Sequence, residues 1–308
     1  MPNIPSQPTQ PKSEEERAKQ QELFDKINQI QHRLMLAGQR SAVEGAERDL
    51  KQSQEDLVMI RQNAHKFDED LEDALSAQEP KIKEARELLD RHLDAVNRTL
   101  RPEFDSVMRQ LESAAVSGWQ LNSLASRIEN GERELARIES EIQARIRNAF
   151  TELSALTART RNLAWSYRQA EEASFDLGAD DALVSAWKAQ WLAEDQKSGP
   201  KGVLYLTSHQ IIFEQKEKVK MKKGLFAKKQ FVQKLAFHQP LAALAKSLDA
   251  EKRRFLGKKE LLNLEFKSGE PLKVSLELKT DSAAVDARIE EFAAICQKEE
   301  KEKSPFDA

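Results

Sequence analysis

Between Leu23 and Tyr167, apolar side chains recur at helical spacing, with the pattern weakened at 38–45 and at 118–131. That spacing puts them along one side of an α-helix, and a long, narrow seam of this kind needs another helix laid along it. Leu23, Ile27, Ile30, Leu34 and Ala37 open the seam. Leu50, Leu57, Ile60, Ala64, Phe67, Leu71 and Ala74 continue it, and Ile82, Ala85, Leu89, Leu93, Val96 and Leu100 follow. Phe104, Val107, Leu111 and Ala115 carry it on, and Leu135, Ile138, Ile142, Leu153, Leu163 and Tyr167 close it. Ser13 and Glu16 form a capping box, so the first helix starts there. Gly38 and Gly45 each cost about 1 kcal/mol inside a helix, which predicts a kink or short break at 38–45. Pro80 suits the first turn of a new helix, and Pro102 marks a kink or restart. A turn is expected near Gly118 or Gly131, with a last helix from about Glu132 to Ala173. Three segments of roughly 50 residues would each span about 75 Å. An antiparallel bundle or coiled coil is the simplest arrangement, and the same seams could pair between chains. A chain that is 33% charged and 39% hydrophobic fits narrow seams better than a globule.

The character of the chain changes near residue 178. Residues 1–178 hold 18 Arg and 7 Lys against 32 acids, whereas residues 179–308 hold 3 Arg and 21 Lys against 20 acids. SFDLGADD, from Ser174 to Asp181, reads as the linker. After it come short segments that suit strands: Ala182–Leu192, Val203–Thr207, Gln210–Gln215, Gln230–Phe237, Leu261–Phe266 and Leu272–Leu278. Pro240–Leu248 is ambiguous. Asp281–Glu300 is an amphipathic helix capped by Asp281 or Ser282. The domains expected are a disordered Pro-rich arm (1–12), an α-helical coiled-coil region (13–178), a β domain (179–298) and a disordered tail (299–308).

Six or seven antiparallel strands closed by one helix is the layout of a pleckstrin-homology (PH)-like barrel. The stretch GVLYLTSHQIIF, Gly202–Phe213, is similar to the strand–turn–strand signature of GRAM domains, which are PH-like. The fold class expected is therefore α+β multidomain, a long α-helical coiled coil or bundle followed by a PH-like (GRAM) antiparallel β-barrel with a C-terminal helix. The resemblance implies a domain that often binds acidic lipid headgroups or peptides, and it implies no catalysis.

Charge supplies the candidate site. Between Lys216 and Lys259 stand 14 Lys/Arg and three acids, Glu217, Asp249 and Glu251. Two segments inside share a pattern of two bases, an aliphatic–aromatic pair beside a glycine, and two more bases. One contains Lys222, Lys223, Leu225, Phe226, Lys228 and Lys229; the other contains Arg253, Arg254, Phe255, Lys258 and Lys259. An anionic membrane rewards that combination with about 1 kcal/mol per base, and an apolar tip can enter the interface. The bland alternative is a solvated loop whose Phe and Leu fold back onto the barrel. Nucleic acid is disfavoured, because only Phe226, Phe231 and Phe255 are available for stacking and the helical region is acidic.

The remaining chemistry points away from catalysis. The five histidines, His32, His65, His92, His209 and His238, show no metal-ligand spacing, and His209 fits a β-turn. Cys296 lies beside the apolar face of the last helix and reads as packing. Asp68-Glu69-Asp70 reads as a solvated helix face. No cofactor and no metal are expected. The expected protein is a non-enzymatic scaffold, cytoplasmic and peripheral to a membrane, since no run of about 18 apolar residues occurs. Its helical region would form a homo-oligomer or hold a protein partner. The alternative is a purely protein-binding adaptor without lipid affinity, using an apolar groove or a sheet edge.

Overall fold

The computed structural model describes residues 13–63, 65–113, 116–192, 199–220, 229–254, 257–276 and 282–303. The Pro-rich arm (1–12) and residues 304–308 of the tail lie outside the described residues. Six helices come first: α1 (Glu14–Arg33), α2 (Ala37–Gln62), α3 (Asp70–Ser76), α4 (Gln78–Ala95), α5 (Arg101–Glu112) and α6 (Gly118–Glu171). Seven strands follow: β1 (Leu183–Trp191), β2 (Lys201–Thr207), β3 (Gln210–Lys220), β4 (Lys229–Pro240), β5 (Leu244–Arg254), β6 (Gly257–Phe266) and β7 (Leu272–Leu276). Helix α7 (Ser282–Lys303) ends the order. Two compact units result, one of residues 1–54 and 72–157, the other of residues 55–71 and 158–308. Among the described residues no helix is long and apolar enough to cross a membrane.

In the first unit the seams meet one another within a single chain. Ion pairs give the directions. Lys26 pairs with Glu132 at 3.0 Å and Arg33 with Glu139 at 2.6 Å, so α1 and α6 run the same way. Glu84 pairs with Arg145 at 3.5 Å and Glu103 with Arg127 at 2.6 Å, so α4 and α5 run against α6. The result is an up–down–up bundle around Ile27, Ile30, Leu89, Val107, Ile128 and Ile138. Its first helix begins where expected, with Ser13 and Glu16 exchanging hydrogen bonds at 3.2 Å.

Of three expected breaks, one falls elsewhere than the sequence predicts. Gly38 and Gly45 lie inside α2, and the chain instead breaks at Leu36, which takes a φ of 44°. Burial of the Leu36 side chain, 1% exposed, offsets the roughly 1–2 kcal/mol of that left-handed conformation. Gly131 lies inside α6, not at a turn. A Cβ there would sit 2.5 Å from Cζ of the buried Phe104, so this glycine makes room for a ring. The turn precedes Gly118, the other of the two places expected, and α6 starts 14 residues before the expected Glu132. At Pro102 a π-helical turn, Val96–Leu100, accommodates the missing amide and the ring, with the Arg101 amide bonded to the Val96 carbonyl. Pro80 occupies the first turn of α4 as expected.

In the second unit the strands form one antiparallel sheet in the order β4-β3-β2-β1-β7-β6-β5. Seven antiparallel strands followed by one helix is the expected layout. Among the described residues no ladder joins β4 to β5, so the sheet is open where a closed barrel was expected. Helix α7 covers one face through Val285, Ile289, Phe292 and Cys296 against Leu204, Phe213, Leu264 and Val274. The last turns of α6 cover the other face at β1. There the Ser166 hydroxyl accepts from the Ala186 amide at 2.8 Å, and 3.3 Å separates it from the Ala186 carbonyl. Cover on both sides explains why Val203–Leu206 is apolar without alternation.

Within Gly202–Phe213, two details have a physical cause. A Cβ at Gly202 would lie 1.8 Å from the Glu214 carbonyl oxygen, so only glycine lets β2 and β3 approach there. The turn at 207–210 is held by the buried Asp181, which accepts from the Thr207 hydroxyl at 2.8 Å, the Ser208 hydroxyl at 2.8 Å and the His209 amide at 3.1 Å. His209 thus sits in the turn, as expected. The strands are longer than their apolar content suggested. β3 continues to Lys220, β4 to Pro240, and β6 begins at Gly257 rather than Leu261. The ambiguous Pro240–Leu248 segment is a 3-10 turn, Leu241–Ala243, running into β5. Helix α7 runs through Lys303, beyond the expected end at Glu300; its cap Asp281 lies outside the described residues, as does the Ser282 side chain.

Candidate functional site

The lysine-rich stretch is a hairpin. β3 and β4 stay paired out to Lys220 opposite Lys229, past a bulge between Phe213 and Glu214. Directly opposed residues of an antiparallel pair share a face. One face therefore carries positions 214, 216, 218 and 220 of β3 with 235, 233, 231 and 229 of β4. The inner end of this face is satisfied internally. Glu214 is fully buried and accepts from the Tyr205 hydroxyl at 3.1 Å, the Ser174 amide at 2.6 Å and the Gln233 side chain at 3.0 Å. Burial first, and the Glu214 carboxylate second, push the Tyr205 phenol far above its usual range. Lys216 is held by Glu172 at 2.8 Å. Further out the face is open, with Lys218 exposed and Phe231 51% exposed, and at the inner end Leu235, opposite Glu214, is 45% exposed.

Most of the sequence-derived candidates cluster at hairpin ends. Lys222, Lys223, Leu225, Phe226 and Lys228 belong to the 221–228 connection, and Phe255 to the 255–256 connection; these six lie outside the described residues. Lys229 opens β4 opposite Lys220. Arg253 is opposite Lys258, Arg254 opposite Gly257 and Lys259 opposite Lys252 in the β5–β6 ladder. The described residues of the second basic segment are thus paired in strands. The β3–β4 and β5–β6 hairpins are the two outermost pairs of the sheet, with β2, β1 and β7 between them.

A cluster around Asp68 was not visible in the sequence. Instead of continuing the seam, α2 stops at Gln62, and the Arg61 guanidinium donates to the carbonyls of His65, Phe67 and Asp68 at 2.9–3.0 Å. Asp68 takes a φ of 58°. Its side chain, expected on a solvated helix face, is only 9% exposed and meets His65 at 3.1 Å, Arg288 at 3.4 Å and Arg159. Burial alone would raise its pKa. Hydrogen bonds from His65 and Arg159, with the charges of Arg159 and Arg288, outweigh that and hold it well below the usual carboxylate range. On the far side of His65, Nδ1 lies 2.8 Å from the Tyr167 hydroxyl, whose pKa burial pushes up to about 12. Phe67 completes the loop, edge-on to Phe292 of α7 at 5.0 Å between ring centres.

Beside this cluster opens a cleft of about 640 Å³, walled by Leu163, Val184, Trp187 and Val285. Its two guanidiniums are already matched: Arg159 is bidentate on Asp70 at 2.9 and 3.0 Å, and Arg288 pairs with Glu291 at 2.9 Å. Three carboxylates around two cations make a structural clasp between the 63–69 loop, α6 and α7, not a free anion site. Among the described residues no group of three or more His, Cys, Asp or Glu is placed to hold a metal ion.

No protein-family model matches the sequence, and no curated protein matches it. Among solved structures the chain is similar to the Vps36 N-terminal PH domain at 19% identity, over 39% of this chain and 84% of that one, with a TM-score of 0.26. It is similar to the N-terminally truncated linker-DH/PH domains of p115-RhoGEF at 11% identity, over 91% of this chain and 98% of that one, with a TM-score of 0.26. It is also similar to autoinhibited Vav1 at 11% identity, over 90% of this chain and 55% of that one, with a TM-score of 0.26.

Proposed function

We propose that the protein is a non-catalytic scaffold whose β unit is a PH/GRAM-like module that docks on an anionic membrane surface. The helical unit holds a protein partner or assembles copies of the chain. Its seams are used internally, so its outer faces would do this. One observation supports the docking reading: β3 and β4 stay paired out to Lys220 opposite Lys229, the residues that flank the lysine-dense stretch 221–228 in the sequence. Lys216–Lys229 contains seven lysines and a single acid, Glu217. Lys222, Lys223, Lys228 and Lys229 are the anion-binding residues in this reading, with Leu225 and Phe226 as the apolar tip. Arg253, Arg254, Phe255, Lys258 and Lys259 form a second, separate basic end.

Co-sedimentation with vesicles tests it. The parent chain should pellet with vesicles containing phosphatidylserine and stay in solution with phosphatidylcholine alone. Replacing Lys222, Lys223, Lys228 and Lys229 by Glu should abolish pelleting. A parent that ignores phosphatidylserine would end the lipid reading.

A further inference from the structure

The end of α6 and the residues after it are strapped across the base of the β3–β4 ribbon. The Lys216 ammonium donates to the Glu172 carboxylate at 2.8 Å and to the Gln169 side-chain oxygen at 3.2 Å. Gln233, opposite Lys216, donates to the Glu172 carbonyl and to the Glu214 carboxylate. The Ser174 amide donates to Glu214 at 2.6 Å, and Phe175 stands edge-on to Tyr205 at 5.1 Å between ring centres. These attachments to the ribbon fall on one face, at positions 214, 216 and 233. One step further out on that face, Lys218 and Phe231 oppose each other and are exposed. The Lys216 side chain, by contrast, is 12% exposed. The strap therefore ends where the open face begins, with Glu172 on the innermost lysine of that face.

Two kinds of contact in the strap differ in how readily they let go. Glu214 is fully buried, and a buried carboxylate stripped of its donors is costly, so Ser174 and Gln233 are firm anchors. Glu172 is 65% exposed. An exposed ion pair shifts an equilibrium by about fivefold at most, and one base near anionic lipid gains about the same factor. The two are matched, so an anionic surface can take Lys216 from Glu172 while the anchors hold. We infer that Glu172 is an autoinhibitory cap on the docking face: it covers Lys216 in the free protein and is displaced by an anionic bilayer lying along Lys218 and Phe231. The cap presupposes the docking reading. It adds a contact face that reaches about 13 Å of strand inward from Lys220, and an acid that opposes binding.

Two measurements on the full chain test it, one of them without lipid. Acetylation by N-hydroxysuccinimidyl acetate, read by mass spectrometry, compares Lys216 with the exposed Lys218. Lys216 should react several-fold more slowly in the parent and approach the rate of Lys218 in Glu172→Gln, a substitution that keeps the carbonyl bonded by Gln233. In vesicle partition, Glu172→Gln should tighten binding to phosphatidylserine about fivefold, and Glu171→Gln, which removes an equal charge next door, by less than twofold. Lys216→Gln should then cost about fivefold in the Glu172→Gln background and less than twofold in the parent. Equal effects of Glu171→Gln and Glu172→Gln, or of Lys216→Gln in the two backgrounds, would reduce the contact to net charge and overturn the cap. If the parent pellets with phosphatidylserine but its Lys216 is as reactive as Lys218, the cap alone fails. If the parent ignores phosphatidylserine, the docking reading fails and autoinhibition with it, whatever the acetylation rates.

Discussion

Three glycines inside the helices of the first unit should respond to alanine in opposite directions. A Cβ at Gly38 or Gly45 would meet nothing within 4 Å, whereas at Gly131 it would lie 2.5, 3.1 and 3.2 Å from three atoms of the Phe104 ring. In open space, Gly→Ala in a helix gains about 0.5–1 kcal/mol from backbone entropy. Gly131→Ala gains the same increment but must displace a ring that is fully buried, an overpacking cost of about 1–3 kcal/mol. Its net effect should be a loss of about 1 kcal/mol, leaving it roughly 2 kcal/mol below the other two variants. Phe104→Leu removes the clashing ring edge, so it should cost less in the Gly131→Ala background than in the parent. Urea unfolding followed by far-ultraviolet circular dichroism measures all of these. If Gly131→Ala stabilised as much as Gly38→Ala, the reading of this glycine as a seat for Phe104 would be wrong.

Asp68→Asn keeps a residue tolerant of a positive φ but removes the charge shared by His65, Arg159 and Arg288. Because Arg159 retains Asp70 and Arg288 retains Glu291, the loss should be about 2–3 kcal/mol rather than that of a stranded ion. The folded state holds the Asp68 proton affinity below its unfolded value, so this contribution is full at neutral pH. It fades as pH falls below about 4, where the unfolded chain takes up the proton first. Thermal melts between pH 3 and 7 should therefore show the gap between parent and variant narrowing toward the acid end without closing; a gap that widened with acid would reverse the sign of the argument. Gly202→Ala drives a Cβ into the Glu214 carbonyl and should cost about 3 kcal/mol in the β unit, lost aromatic circular dichroism being the readout. An unchanged melt would show that β2 and β3 can separate there without penalty.

What was legible in the sequence follows from how local each signal is. The capping box at Ser13, the helix start at Pro80, the strands Leu183–Trp191 and Lys201–Thr207 and the closing helix α7 are set by neighbours a few residues apart, and all are present. Gly131 misled because its reason is a ring 27 positions away. The Asp68 clasp was invisible for the same reason: Arg159 and Arg288 stand 91 and 220 residues further on, so three adjacent acids looked like a wet helix face. The outer half of β3, Lys216–Lys220, was cut short because alternation of lysine with polar residues does not look like a strand. It becomes one only when the partner strand supplies the ladder. For the candidate site, the basic segments were legible as composition, but their assignment to hairpins on opposite edges of the sheet needed the register.

The claim that the β3–β4 hairpin is the docking element is tested most directly by comparing the two basic hairpins in one vesicle-partition experiment. One variant replaces Lys222, Lys223, Lys228 and Lys229 by Ala; the other replaces Arg253, Arg254, Lys258 and Lys259 by Ala. At about 1 kcal/mol per base, the first should weaken binding to phosphatidylserine vesicles by roughly three orders of magnitude. The second should weaken it by less than tenfold, since its hairpin lies at the other edge of the sheet. Equal losses from the two variants, or full binding by the first, would contradict the account.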